Sequence, residues 1–176
     1  MTDWDRLVAA FPPPRVVARA VDWAAFENEF GISLPTDYKL FIDSYGHGRF
    51  NGFLTVFLPF SPYEFVELDV QRSFAEGKAD FWLEYEQVGS TSLPVDPRQL
   101  LPVAGTDNGN TVYWNMRTPG APDDWTIAVD QARNDQWYLF EGGIVSFLVA
   151  TFVDRLRVPV FPEDLSREAS SFVPVD

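Results

Sequence analysis

The sequence predicts one domain in which helices pack on an antiparallel sheet, and three observations predict it. Apolar residues recur at helical spacing between Leu7 and Tyr45. Four short β-branched and aromatic runs joined by polar turns follow between Leu100 and Phe140. Helical spacing then returns after Gly143. A length of 176 residues suffices for one well-buried core and is short for two.

In chain order, Thr2 or Asp3 caps a short helix through Ala10, which Pro12-Pro13-Pro14 stops. A second helix starts at Asp22, carries Trp23, Phe26 and Phe30, and ends at Gly31, where a left-handed cap is needed. Pro35 suits the first turn of a third helix. Tyr38, Phe41, Ile42 and Tyr45 form its apolar stripe, and Gly46 ends it.

Phe53 to Leu58, bounded by Gly52 and Pro59, reads as the first strand region. Ser61-Pro62-Tyr63-Glu64 has the form of a capping box with proline at the first helical position. It predicts a helix carrying Phe65, Val66, Val70 and Phe74. The surface of that region is acidic: Glu64, Glu67, Asp69, Glu76, Asp80, Glu84 and Glu86 face only Arg72 and Lys78.

Ser90 to Pro97 reads as a loop. Leu100 to Trp114 then forms a hairpin around Gly105-Thr106-Asp107-Asn108-Gly109-Asn110, since asparagine and glycine tolerate the positive φ of tight turns. The second strand ends near Thr118-Pro119-Gly120. Trp125 to Val129 and Trp137 to Phe140, separated by Ala132-Arg133-Asn134-Asp135, complete a meander. Val145, Leu148, Val149, Phe152, Val153 and Leu156 define one face of a closing helix that packs on the sheet. The proline-rich segment after Val158 has no period and is expected to lie along the surface.

The formal charge of -13, from 26 acidic and 13 basic residues, argues against nucleic-acid or anionic-membrane binding and favours a basic partner. The same acidity also serves solubility. The absence of cysteine excludes disulfides, thiolate nucleophiles and zinc sites built on cysteine, and fits a reducing compartment. No basic-then-apolar leader opens the chain, and the longest apolar-rich run, Ile144 to Val153, is too short for a membrane helix. A soluble, unexported, cytoplasmic chain is expected.

Among residues with catalytic chemistry, His47 is the one histidine. Its neighbours Gly46 and Gly48 would let it enter a cleft as a general base, although a helix-terminating turn needs those glycines for backbone reasons alone. Asp107, Asn108 and Asn110 are oxygen donors without the distal bidentate carboxylate of a calcium loop, so a turn explains them better. Asp123 with Asp124, or Asp130 with Asp135, would need to converge to act as an acid–base pair. No phosphate-binding glycine loop, serine nucleophile elbow or metalloprotease helix is present.

Phe26-Glu27-Asn28-Glu29-Phe30-Gly31, followed by Leu34-Pro35-Thr36-Asp37-Tyr38-Lys39 with Phe41 and Gly46, resembles the amino-terminal signature of the SUKH superfamily, whose founding group is the SMI/KNR-type cell-wall regulators. The Leu101-Pro102 strand start, the Gly105-to-Gly109 turn, the strand containing Trp114 and the helix from Gly143 to Phe152 are similar to that family as well. The resemblance spans about Val21 to Phe152. It implies an α+β fold: a single SUKH-like domain with a central, mostly antiparallel sheet and packed N-terminal, middle and C-terminal helices. The parts expected are an N-terminal helix and proline-rich link over residues 1–20, the domain over 21–157 and a tail over 158–176.

The resemblance further implies a non-enzymatic immunity or interaction protein, without cofactor or metal. Such a protein would bind and neutralise a cognate toxin, often a nuclease, of a polymorphic or contact-dependent system. The alternative is a regulatory scaffold binding a host protein. An acidic inhibitor suits a basic nuclease cleft, and the candidate contacts are Glu64, Glu67, Asp69, Glu84, Asp107, Asp123 and Asp124.

Overall fold

Among the described residues, four α-helices and a seven-stranded sheet share one core, and a fifth α-helix lies across the sheet's opposite face. A computed structural model describes residues 1–15, 20–87, 93–117, 121–132, 136–163, 165 and 171–175, with backbone only at 85–87. Helix α1 (Asp3–Ala10) starts at a reciprocal cap. The Asp5 amide donates to the Thr2 hydroxyl at 3.1 Å, and the Thr2 amide donates to the Asp5 carboxylate at 2.8 Å. Helix α2 (Trp23–Phe30) is capped by Asp22 and closed by Gly31 at φ 77°, a conformation glycine adopts without strain. Helix α3 (Thr36–Tyr45) follows, and Tyr38, Phe41, Ile42 and Tyr45 are its buried stripe.

Strands β1 (Gly48–Phe50) and β2 (Leu54–Val56) pair through a turn at Asn51 and Gly52, both at positive φ. The expected single strand region is thus a hairpin, because the Asn-Gly turn reverses the chain after three residues. The helix expected at Ser61-Pro62 starts later, at Leu68: α4 spans Leu68–Gln87. Leu58 bridges Glu67 in parallel, and the Val66 side chain is buried in the core, so the intervening residues must turn instead of coil. The Ser61 hydroxyl accepts from the Tyr63 amide at 3.1 Å, which closes a local turn. Glu67 caps α4, its carboxylate accepting from Val70 N–H at 2.8 Å.

Strands β3 (Leu100–Thr106), β4 (Thr111–Asn115), β5 (Thr126–Asp130) and β6 (Trp137–Phe140) form the expected meander. Pro102, which has no N–H to give, is tolerated in a central strand because the register shifts between Pro102 and Ala104. The sheet order is β6-β5-β4-β3-β2-β1-β7, with every neighbouring pair antiparallel. Thr118-Pro119-Gly120 and Arg133-Asn134-Asp135 lie outside the described residues, as do Ser90 to Ser92 of the expected loop. The closing helix begins as α5 (Ile144–Leu148) and widens to a π-helical turn over Val149–Val153, which leaves Leu156 39% exposed.

Of the segment after Val158, the described residues lie only partly along the surface. Val158, Val160, Phe161 and Leu165 are buried in the main core, and β7 (Phe172–Pro174) extends the sheet beside β1. Asn110 anchors it: its side-chain amide donates to the Val160 carbonyl at 2.7 Å while its oxygen accepts from Ala132 N–H at 3.0 Å.

Strand alternation divides the sheet's faces. Val112 and Trp114 enter the main core with α1, α2, α3 and α5. Tyr113 faces the other way and packs with Leu100, Ala128 and Ala75 of α4. At the centre, Tyr38 meets Trp114 edge to face, with ring centroids 4.9 Å apart, and donates its hydroxyl to the Phe57 carbonyl at 2.6 Å.

The rest of the Leu34–Lys39 run is equally committed. The Glu27 carboxylate accepts from Leu34 N–H at 2.7 Å and from Lys39 Nζ at 2.8 Å. Thr36 donates its amide and hydroxyl to Asp123 at 2.6 and 2.9 Å. Asp37 accepts from Val145 N–H at 3.0 Å at the start of α5. A Cβ on Gly143 would lie 2.5 Å from Asp37 Oδ2. Burial raises the Asp37 carboxyl above its ordinary value, partly offset by the amide hydrogen bond.

Two substitutions test this hub in urea unfolding. Tyr38→Phe is expected to cost about 1–3 kcal/mol by leaving the buried Phe57 carbonyl unpaired. Gly143→Ala is expected to cost about 1–2 kcal/mol by displacing the Asp37 cap. A change within about 0.5 kcal/mol for both would show that the hub is not a stabilising centre.

Candidate partner-binding surface

Helix α4 carries both cations of its region, and each is engaged within the chain while its side chain keeps about a third of its exposure. The Arg72 guanidinium donates to the Phe30 carbonyl at 2.8 Å, lies 4.8 Å from the Phe30 ring centroid and pairs with Glu76 at 3.0 Å. It thereby satisfies a carbonyl at the C-terminal end of α2. Lys78 reaches across to the sheet, where it pairs with buried Asp130 and sits 4.9 Å from the Trp82 ring centroid. Asp130 also accepts from Thr111 N–H at 2.7 Å. Burial, with the Asp130 charge adding to it, pushes the Tyr113 hydroxyl well above its ordinary value.

The outward face of α4 combines apolar and acidic groups. Phe74 is 67% and Phe81 61% exposed, with Gly77 between them and Val70 one turn before. Asp80 and Glu84 are exposed on the flank of that line. Gly77 is unusual here: a Cβ would meet nothing within 4 Å, yet glycine inside a helix costs about 1 kcal/mol relative to alanine. No packing need among the described residues explains it.

The acids singled out in the sequence fall in separate places. Glu64 and Asp69 are exposed at and just before the start of α4, and Glu84 lies near its end. Glu67 is half-buried and occupied, accepting from Val70 and Phe60 amides. Asp107 in the β3–β4 turn pairs with Arg49 of β1. Asp123 caps α3 by accepting from the Thr36 amide and hydroxyl, and both it and the neighbouring Asp124 are exposed. Asp135 lies outside the described residues. Among the described residues no three His, Asp or Glu side chains come together as a metal site.

His47 lies in a cleft of about 430 Å³, formed with Ile42, Tyr45, Phe60, Tyr63 and Pro174. Its imidazole has no hydrogen-bond partner among the described residues, and its ring centroid lies 5.9 Å from that of Tyr63. Phe60 holds φ 55°, a strained value for an aromatic residue. Among the described residues no carboxylate is hydrogen-bonded to the imidazole; the cleft's lining is mostly apolar, with Asp22 and Ser61 as its other polar side chains apart from the tyrosines.

Sequence reasoning missed the Phe74–Gly77–Phe81 line. The signal was available: two phenylalanines seven residues apart with a glycine between them on an acidic helix.

Burial lowers the His47 imidazole below its ordinary 6.5. The folded state therefore favours the neutral ring. The resulting stability is present above the unfolded value and is lost as pH falls through the folded one. Between about pH 7.5 and pH 5, wild type is expected to lose more urea resistance than His47→Gln. Parallel losses would remove His47 from the acid response.

A family model described as SMI1-KNR4 cell-wall (SUKH_6) matches residues 21–141, well over half of the chain. No curated protein and no solved structure matched it. The matched segment runs from the start of α2 through β6 and contains the Leu34–Lys39 hub and the Trp114 strand, and the fold around it is a seven-stranded antiparallel sheet with packed helices. The chain belongs to the SMI1-KNR4 family of the SUKH superfamily.

Proposed function

We propose that this protein is a non-enzymatic immunity-type protein that binds and neutralises a cognate protein toxin with a basic surface, such as a nuclease of a polymorphic or contact-dependent system. It acts in the cytoplasm of the cell it protects. Family membership supports a protein-binding role. The observation that carries the reading is the polarity of α4: Arg72 and Lys78 are spent inward, and Asp80 and Glu84 face outward beside exposed Phe74 and Phe81.

An exposed apolar centre with a charged rim is the composition of a protein interface. A net charge of -13 steers a basic partner toward it and repels nucleic acid, the substrate such a toxin would otherwise hold. Among the described residues, no helix is long and apolar enough to cross a membrane.

Co-expression with a toxin encoded beside this protein's gene, where one is found, tests this reading. Wild type is expected to restore growth and co-purify with the toxin. The double variant Asp80→Lys with Glu84→Lys should associate roughly tenfold more slowly at low salt. Absence of both co-purification and protection would contradict the proposal. Capture of a host protein without protection would favour a regulatory scaffold in its place.

A further inference from the structure

We infer that the outward seam of α4 receives an amphipathic helix from the basic partner, with one bulky apolar side chain seated over Gly77 and lysine or arginine against Asp80 and Glu84. The inference deepens the toxin-binding reading and rests on it for the partner's identity.

Spacing gives the first argument. Val70, Phe74, Gly77 and Phe81 follow one another at four, three and four residues, the repeat by which two helices keep a seam in register. In that arrangement a side chain of one helix enters a hole formed by four residues of the other. Phe74 and Phe81 wall such a hole, and Gly77 is its floor.

Glycine gives the second. The space above Gly77 is open, so alanine would fit and would favour the helix. A residue that weakens its own helix and relieves no contact within the chain is explained by close approach of something outside it.

Charge chooses the occupant. Asp80 and Glu84 border the seam, while Lys78 on the other border is held by Asp130. A second copy of this chain would bring acids against acids at a net charge of -13 each. A helix with basic flanks meets the opposite sign on one side and an occupied cation on the other.

The probe is a fluorescein-labelled leucine–lysine peptide in helical register, about five turns long. Its control is the same composition reordered to break that register. Wild type is expected to bind the ordered peptide more tightly than the reordered one, with affinity falling as salt rises. Gly77→Trp, which fills the hole, should bind roughly tenfold more weakly or worse. Gly77→Ala should melt at a higher temperature yet bind several-fold more weakly, a combination that loss of folding cannot produce.

Equal binding by both Gly77 variants and wild type, or equal binding of the two peptides, would overturn the inference. So would a wild-type dimer in sedimentation that Gly77→Trp dissociates, since the seam would then belong to a second copy. The toxin assay is independent: protection that survives in Gly77→Trp removes the seam and leaves the function, while peptide binding without protection removes the function and leaves the seam.

Discussion

The hydrogen bond from the Tyr38 hydroxyl to the Phe57 carbonyl, made while the same ring stands edge-on to Trp114, is the contact on which the rest of the architecture depends. It fixes α3 against the middle of the sheet and holds the chain leaving β2 at the same time. Residues on either side of Tyr38 then act as cross-ties. Lys39 and Glu27 lock α2 to α3, Thr36 draws in the turn at Asp123, and Asp37 sets the start of α5. Because these groups sit within six consecutive residues, one short run determines how three helices and a distant turn meet. Every one of its polar side chains has a partner, so burial there carries no unpaired charge.

Such a hub explains why the fold was largely legible in the sequence. Helix periodicity, the Gly31 and Gly46 stops and the β3–β4 turn are local features, and each formed where local chemistry placed it. The readings that failed depend on distant partners. Ser61-Pro62 has the composition of a helix start, but the burial of Val66 and the pairing of Leu58 with Glu67 delay α4. The C-terminal segment has no period because its order comes from Asn110 and from pairing with β1. The candidate site divides along the same line. The acidic character of α4 is visible in composition. That Asp123 and Glu67 are caps and that Arg72 and Lys78 face inward is visible only once the elements are packed.

Sequestering the cations has a consequence for recognition. An arginine or lysine left on the outer face would neutralise Asp80 and Glu84 at short range and weaken their pull on a basic surface. Directed to Phe30 and Asp130, the same two cations instead bind α4 to its neighbours, so cohesion of the domain and the acidity of its exposed helix come from one arrangement. The His47 cleft lies apart from this face, built from the end of α3, the loop before α4 and the C-terminal strand.

The hub around Tyr38 ties the helices to the sheet, and the proposed function assigns α4 as the surface that would meet the partner. Hydrogen–deuterium exchange on the protein alone and with its proposed toxin partner tests that assignment most directly. New protection is expected to concentrate in residues 68–87, with the α3 and β4 amides already slow in the free protein and unchanged on binding. Protection confined to the His47 cleft or to the turn at Asp123 and Asp124, with α4 unaffected, would contradict it.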